Sequence, residues 1–294
     1  MAGIPTNRTN INLPAEVSQE ILQKMQNQSA IMRLARQVAL PGRGLAIPVI
    51  TGDPTAAWVA ETGAKPVSNP TLETKLMQAY KLAVIVPFSD EFRRDAAALY
   101  DAIVERLPGA LAYQFDQTVI GATQAPGENF DTFASATTQS ILTTANASAY
   151  DGLVAAYTDI AENGGALNGF GLSPAGQGLL LGATDKDGRP LFVNSAADGA
   201  VPVVLGSRVE AGRGLYKAAA NTNPAIVGVA GDWTQAMYGT VEGVQIRFAD
   251  QASLTIGDQS VNLWEHNMFA VRAEIEVGFR ADVDCFNLLT GATA

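Results

Sequence analysis

The sequence predicts an α+β protein that sends an N-terminal arm and a long β-hairpin away from its body. Three observations carry this. Apolar residues recur every three or four positions near residues 15–38 and 89–121, the spacing of amphipathic helices. Strand-type patterning at 45–50 and 71–86 flanks about twenty residues that hold two Gly and three Pro. Near the C-terminus, Phe269, Val271, Ala273, Ile275, Val277 and Phe279 alternate strictly with Ala270, Arg272, Glu274, Glu276, Gly278 and Arg280, which marks a half-buried strand with one charged face.

Taken in chain order, residues 1–13 have few apolar positions and no period, so they form an extended arm. Pro14 suits a first helical turn. Val17, Ile21 and Met25 then follow at intervals of four, and Ser29 caps a second short helix carrying Ile31, Leu34, Ala35 and Val38. Leu45–Ile50 is an apolar strand containing Pro48. Thr71–Val86 is its partner, with Leu72, Thr74, Leu76, Tyr80, Leu82, Val84 and Val86 on one face. Such a hairpin is marginal in water, because one face and both edges lack partners. It must lie on something, either its own domain or another molecule.

Ser89 opens the longest helical signal, with Asp90 and Glu91 in the first turn and a stripe of Phe92, Ala96, Leu99, Ile103, Leu111, Phe115 and Val119. Pro108 is expected to kink or split this helix, and Gly121 to end it. Residues 122–147 form a loop with one short strand. A helix follows from Ser148, with Leu153, Tyr157 and Ile160 on one face and Asn163-Gly164-Gly165 at its close. Short apolar runs separated by turn signals then fill a mixed α+β middle region at 166–257.

Composition narrows the function. The chain has 294 residues, of which 47% are hydrophobic and only 16% charged, against roughly 25% charged in an average soluble protein. Much of its surface is therefore suited to contact. A net charge of −10 argues against a surface that grips DNA or anionic lipid, and also keeps a free subunit soluble. Cys285 is the only cysteine, so neither an intrachain disulfide nor a thiol metal cluster can form. No signal peptide is visible and no apolar run reaches the roughly 18 residues of a membrane span, so the expectation is a cytoplasmic product with no membrane partner.

Catalytic chemistry is poorly stocked. The single histidine, His266, has no patterned nucleophile beside it. No Gly-Lys-Ser/Thr ends a glycine loop, and Gly212-Arg213-Gly214 is expected to be a flexible turn. Ser173-Pro174 fits a helix cap and first-turn proline better than a hydrolase elbow. Asp185-Lys186-Asp187-Gly188 starts like a calcium loop but lacks the closing glutamate. Asp282 and Asp284 would share a face if the last strand ran on. No catalytic, cofactor-binding or metal-binding residue is assigned. What stands out is contact chemistry: Trp58 among small residues, followed by Glu61 and Lys65, with Glu73 and Lys75 on the returning strand. These five are the subunit-contact candidates.

Read in order, Ser29–Ala35, Ile47-Pro48, Ala57–Pro66, Lys81–Ala83, Val86–Phe92, Gly171–Pro174, Asp187–Phe192, Val204–Gly206, Gly231–Trp233 and Met268–Glu274 resemble the major capsid proteins of tailed bacteriophages, the Hong Kong 97 fold. The resemblance spans roughly residues 15–290. It implies an arm at 1–40, an extended loop at 41–87, a peripheral domain with a spine helix at 88–139, an axial domain at 140–255, and a return to the peripheral domain at 256–294. It also implies self-assembly through pentamers and hexamers into an icosahedral virion shell, formed in the host cytoplasm, that encloses double-stranded DNA without sequence-specific binding.

Implied partners are a portal protein and a decoration or scaffold protein. Because the arm starts almost at Met1, any scaffold is expected to be a separate chain. Some relatives crosslink a loop lysine to an asparagine; Lys65, Lys75 and Asn287 are the residues available, without a matching site. Two rival readings are an encapsulin, a bacterial compartment shell of the same fold, and a soluble enzyme with a hairpin lid.

Overall fold

The computed structural model describes residues 15–42, 44–50, 58–59, 65, 72–90, 96–144, 148–184, 189–192, 201, 203–256 and 259–292. The arm proper, at 1–13, and the Asp185–Gly188 turn lie outside them. Helix α1 (Ala15–Gln28) and the short α2 (Ala30–Leu34) meet at Ser29, whose hydroxyl accepts a hydrogen bond from the Met32 amide at 3.1 Å, as a helix cap should. The second helix is shorter than its apolar spacing suggests. Val38 belongs instead to strand β1 (Arg36–Ala39), where sheet pairing with a distant strand overrides a weak helical period.

Strand β2 (Leu45–Ile50) pairs antiparallel with β3 (Leu72–Met77), Leu45 opposite Met77 and Ile50 opposite Leu72. The returning limb is two strands rather than one. It breaks at Gln78-Ala79 and resumes as β4 (Tyr80–Ser89). That break changes which residues are buried: Tyr80, Leu82, Val84 and Val86 pack on the core, but Leu76 is exposed and Met77 is fully buried. Ser89 closes β4, opposite Met268. Helix α3 (Ala96–Val119) contains Pro108 without being divided by it. It ends where the Gly121 amide donates to Thr118 O at 3.0 Å and the Ala122 amide to Gln117 O at 2.9 Å, with Gly121 at φ +75°, a Schellman stop.

Strand β5 (Thr137–Ser140) leads to α4 (Ala149–Glu162), which Ser148 and Asp151 open with a capping box. Its buried stripe is Ala149, Leu153, Ala156 and Ile160. Tyr157 is about half exposed; residue 156 takes the core position and the phenol points outward. Then come β6 (Gly169–Leu172), α5 (Pro174–Leu181), β7 (Val203–Val204), β8 (Ser207–Ala211), β9 (Ile226–Gly231), β10 (Ala236–Thr240), β11 (Gln245–Ala249), β12 (Ser253–Ile256), β13 (Gln259–Asn262), β14 (Met268–Ala281) and β15 (Phe286–Thr290). As the residues required, Ser173 caps α5 and Pro174 opens it.

Two larger sheets organise these strands. In the first, β1, β10, β14 and β11 lie in order, and β4 pairs along β14 for ten residues, from Met268 opposite Ser89 to Val277 opposite Tyr80. Its inner face meets α3 around Phe115, Phe130, Phe133, Phe279 and Phe286. In the second, the order is β5-β15-β9-β6-β8-β7, and α4 and α5 cover Phe170, Leu172, Val227 and Leu289. The chain passes from β14 to β15 through a 3-10 turn at Val283–Cys285, so Asp282 caps that turn and Asp284 lies within it, and the strand does not continue through them. Asp232 knots the sheets together by accepting from the Ala166 amide, Asn168 Nδ2 and the Thr234 amide and hydroxyl at 2.6–3.0 Å.

Candidate subunit-contact surface

The β2–β3 ribbon pairs with no other described strand, yet its root is firmly built. Arg280, at the end of β14, donates to the Leu76 carbonyl from Nε at 2.9 Å and from Nη2 at 2.6 Å. The same guanidinium reaches Asp131 Oδ1 at 2.6 Å and Asn129 Oδ1 at 2.8 Å. Beneath it, Met77 fills the space left by two glycines: a Cβ on Gly239 would stand 3.0 Å from Met77 Sδ, and one on Gly278 would stand 3.1 Å from Met77 Cγ. Gly44, at φ +87°, turns the chain into β2 with its amide on the Pro41 carbonyl at 2.8 Å. A ribbon so anchored at one end is a preset element.

Of the five contact candidates, Trp58 is wholly exposed and followed by a partly exposed Val59. Lys65 is exposed and Lys75 half-buried. Glu73 sits in β3 opposite Val49, with its side chain outside the described residues, as is all of Glu61. The pattern of residues does not reveal the root. Arg280 reads only as one more polar position of an alternating strand, and Asn129 and Asp131 as loop residues. The β12–β13 hairpin was equally hidden. It pairs with no other described strand, and Trp264 just beyond it is 68% exposed.

The groups with reactive side chains are placed elsewhere. His266 lies exposed in the turn before β14. Burial pushes the Cys285 thiol up to about 11, helped by the nearby negative charges of Asp282, Asp232 and Asp284, which leaves it a poor nucleophile at neutral pH. Gly212-Arg213-Gly214 is not a flexible turn. Both glycines are buried, and a Cβ would stand 2.6 Å from the Ala30 Cβ at one and 2.5 Å from the Asp116 Cβ at the other. Asn287 is buried beneath α4 with Nδ2 on the Ala156 carbonyl at 3.2 Å. Among the described residues no cluster of three or more metal-ligating side chains occurs, and no helix is long and apolar enough to cross a membrane.

A ribbon anchored at its root accompanies a two-sheet body with a long helix, and comparison with known proteins shows the family. The model of the phage capsid family matches residues 10–283. The chain belongs to the phage capsid family. Among relatives of this capsid chain, the probable major capsid protein gp17 of Mycobacterium phage L5 is 29% identical, covering 96% of this chain and 90% of that one. Its counterpart in Mycobacterium phage D29 is 27% identical over 96% of this chain and 91% of that one.

In solved structures, a Gordonia phage Cozz chain superposes with a TM-score of 0.72 at 25% identity, covering 91% of this chain and 87% of that one. At 16% identity, the capsid of an empty GTA particle, computed with C5 symmetry, shares the fold with a TM-score of 0.63 over 90% of each chain. The fold is that of the Hong Kong 97-like phage capsids.

Proposed function

We propose that this chain is the major capsid protein of a tailed bacteriophage, one copy of the repeating unit of an icosahedral head that encloses double-stranded DNA. The family match over residues 10–283 carries the reading. It also favours a virus over an encapsulin compartment, and a structural part over an enzyme. Membership of a capsid family makes the chain a virion component; its assembly in the host cytoplasm, and its partnership with portal, scaffold or decoration proteins, are part of the proposal.

The physics of the shell is multivalency. Head-to-tail contacts close into five-fold and six-fold rings when the rotation between neighbours closes, and several modest contacts per subunit add up through effective concentration. The C5 symmetry of the GTA capsid supports the five-fold ring here. In this reading the arm is 1–40, the extended loop 41–87, the peripheral domain 88–139 with the tail 256–294, and the axial domain 140–255. Trp58, with Glu61, Lys65, Glu73 and Lys75 along the ribbon, touches a neighbouring subunit: an uncovered tryptophan on an anchored ribbon is a ready interface anchor. The acidic balance of −10 lets DNA be contained without being gripped.

Deleting residues 52–68 tests the ribbon's role. The expected result is a subunit with unchanged melting behaviour that forms no closed particles by electron microscopy; particles of normal size would sink it. Trp58→Ala should slow or abolish assembly and leave the subunit's melting temperature within about 1 °C, since an exposed side chain contributes little to its own fold.

A further inference from the structure

Asp116 is a buried carboxylate at a joint between elements. It lies in the last turn of α3, only 1% exposed, and binds the elbow between α1 and α2. Ser29 Oγ donates to its Oδ1 at 2.5 Å and the Ala30 amide to its Oδ2 at 3.2 Å. Ser29 is itself fully buried and is also the cap of α2, so a single serine joins the cap to the spine helix. Behind the carboxylate stand Gly212 and Gly214, packed as described above. Beside it an open crevice of about 890 Å³ is lined by Asn27, Gln28, Tyr113 and Arg213.

We propose that this elbow is a protonation-controlled joint: with the Asp116 carboxyl neutral it is held shut on α3, and ionisation of that carboxyl loosens it. The groups facing Asp116 are few. From α2 comes Arg33, whose charge is already engaged by Glu210 at 2.8 Å and by the Ala211 carbonyl. The turn after β8 contributes Arg213 and α3 contributes Tyr113; among the described residues of α1, the neutral Asn27 and Gln28 line the crevice beside it. Burial therefore dominates and raises Asp116 from 3.8 to about 7, against the opposing hydrogen bonds from Ser29, Ala30 and Ile31 and the charge of Arg33.

The sign follows by linkage. A carboxyl whose closed-state pKa is raised favours the closed state fully below its open-state value of 3.8, and that preference is lost as pH rises through about 7. The joint is thus tight in acid and loosened at and above neutrality. Helix α1 leads back to the arm, so the device makes the arm's attachment to the spine responsive to pH.

Hydrogen exchange of the Ala30–Met32 amides, corrected for intrinsic rates, tests this on the full chain between pH 5 and 8. The opening constant should climb towards tenfold per pH unit from about 5 to 7 and level off above. Asp116→Asn, which keeps the shape and the acceptor but cannot ionise, should be flat. Ser29→Ala, which removes a donor to the ionised form, should move the midpoint to higher pH. A flat wild-type profile, an Asp116→Asn profile as steep as wild type, or an unmoved midpoint in Ser29→Ala would each overturn the proposal.

Discussion

Replacing Arg280 with Ala removes the clamp at the ribbon's root, and its cost can be worked from the contacts. The guanidinium side chain is 11% exposed and its acid partner Asp131 20%. Three acceptors lose their donor: the Leu76 carbonyl, Asn129 Oδ1 and Asp131 Oδ1. Leu76 is at the surface, so its carbonyl recovers water at little cost. Asp131 keeps only the Ala281 amide at 3.1 Å and is left as a mostly buried charge without a counter-ion. A charged hydrogen bond contributes about 1.5–3 kcal/mol net, and stranding a buried partner costs about 3–5 kcal/mol.

Discounting for partial exposure gives a loss of about 3 kcal/mol in the free subunit. Urea denaturation reads it, and hydrogen exchange of the β3 amides should show the ribbon loosening first. Arg280→Lys should recover less than half, because one ammonium cannot fork between the Leu76 carbonyl and Asp131. A loss below about 1 kcal/mol, or full recovery with lysine, would mean that packing of Met77 and not the arginine sets the root.

Other expectations concern the body. Phe133→Ala removes a ring stacked on Phe286 at 4.5 Å and edge-on to Phe279 at 5.7 Å; denaturation should show a loss of about 3–5 kcal/mol. Gly152→Ala would drive a Cβ into the Ser140 carbonyl, so the variant should be less stable although alanine gains about 1 kcal/mol in helix propensity; a more stable variant would contradict the close packing of α4 on β5. Ser148→Ala breaks the capping box of α4 and should cost about 1 kcal/mol, with Ser148→Asn close to neutral by thermal melting.

Local chemistry was legible wherever it decided the structure. The alternation from Phe269 to Phe279 became the central strand of the first sheet, and Ser29, Ser148 and Ser173 each cap the helix that follows them. What could not be seen depends on partners distant in sequence. Val38 is drawn into a strand by β10. Nothing about Gln78-Ala79 signals a break, but the exchange of partner there, from β2 to β14, reverses which side is buried. Pro108 stays inside α3, where surrounding helix and core outweigh a local defect. For the contact surface, Trp58 stood out by its type and setting, whereas Arg280 draws its importance from Leu76, Asn129 and Asp131, at separations of 149 residues or more.

The ten-pair register between β4 and β14 also bears on mechanics. Only Gln78 and Ala79 separate the ribbon from β4, so tension on the ribbon that exceeds the hold of Arg280 on Leu76 would pass into that strand. Along the strand axis such tension loads the ladder in shear, where the bonds resist together, and not in peeling, where they yield one at a time. Pulling on the ribbon would then load the Arg280 clamp first and the β4–β14 ladder in shear after it.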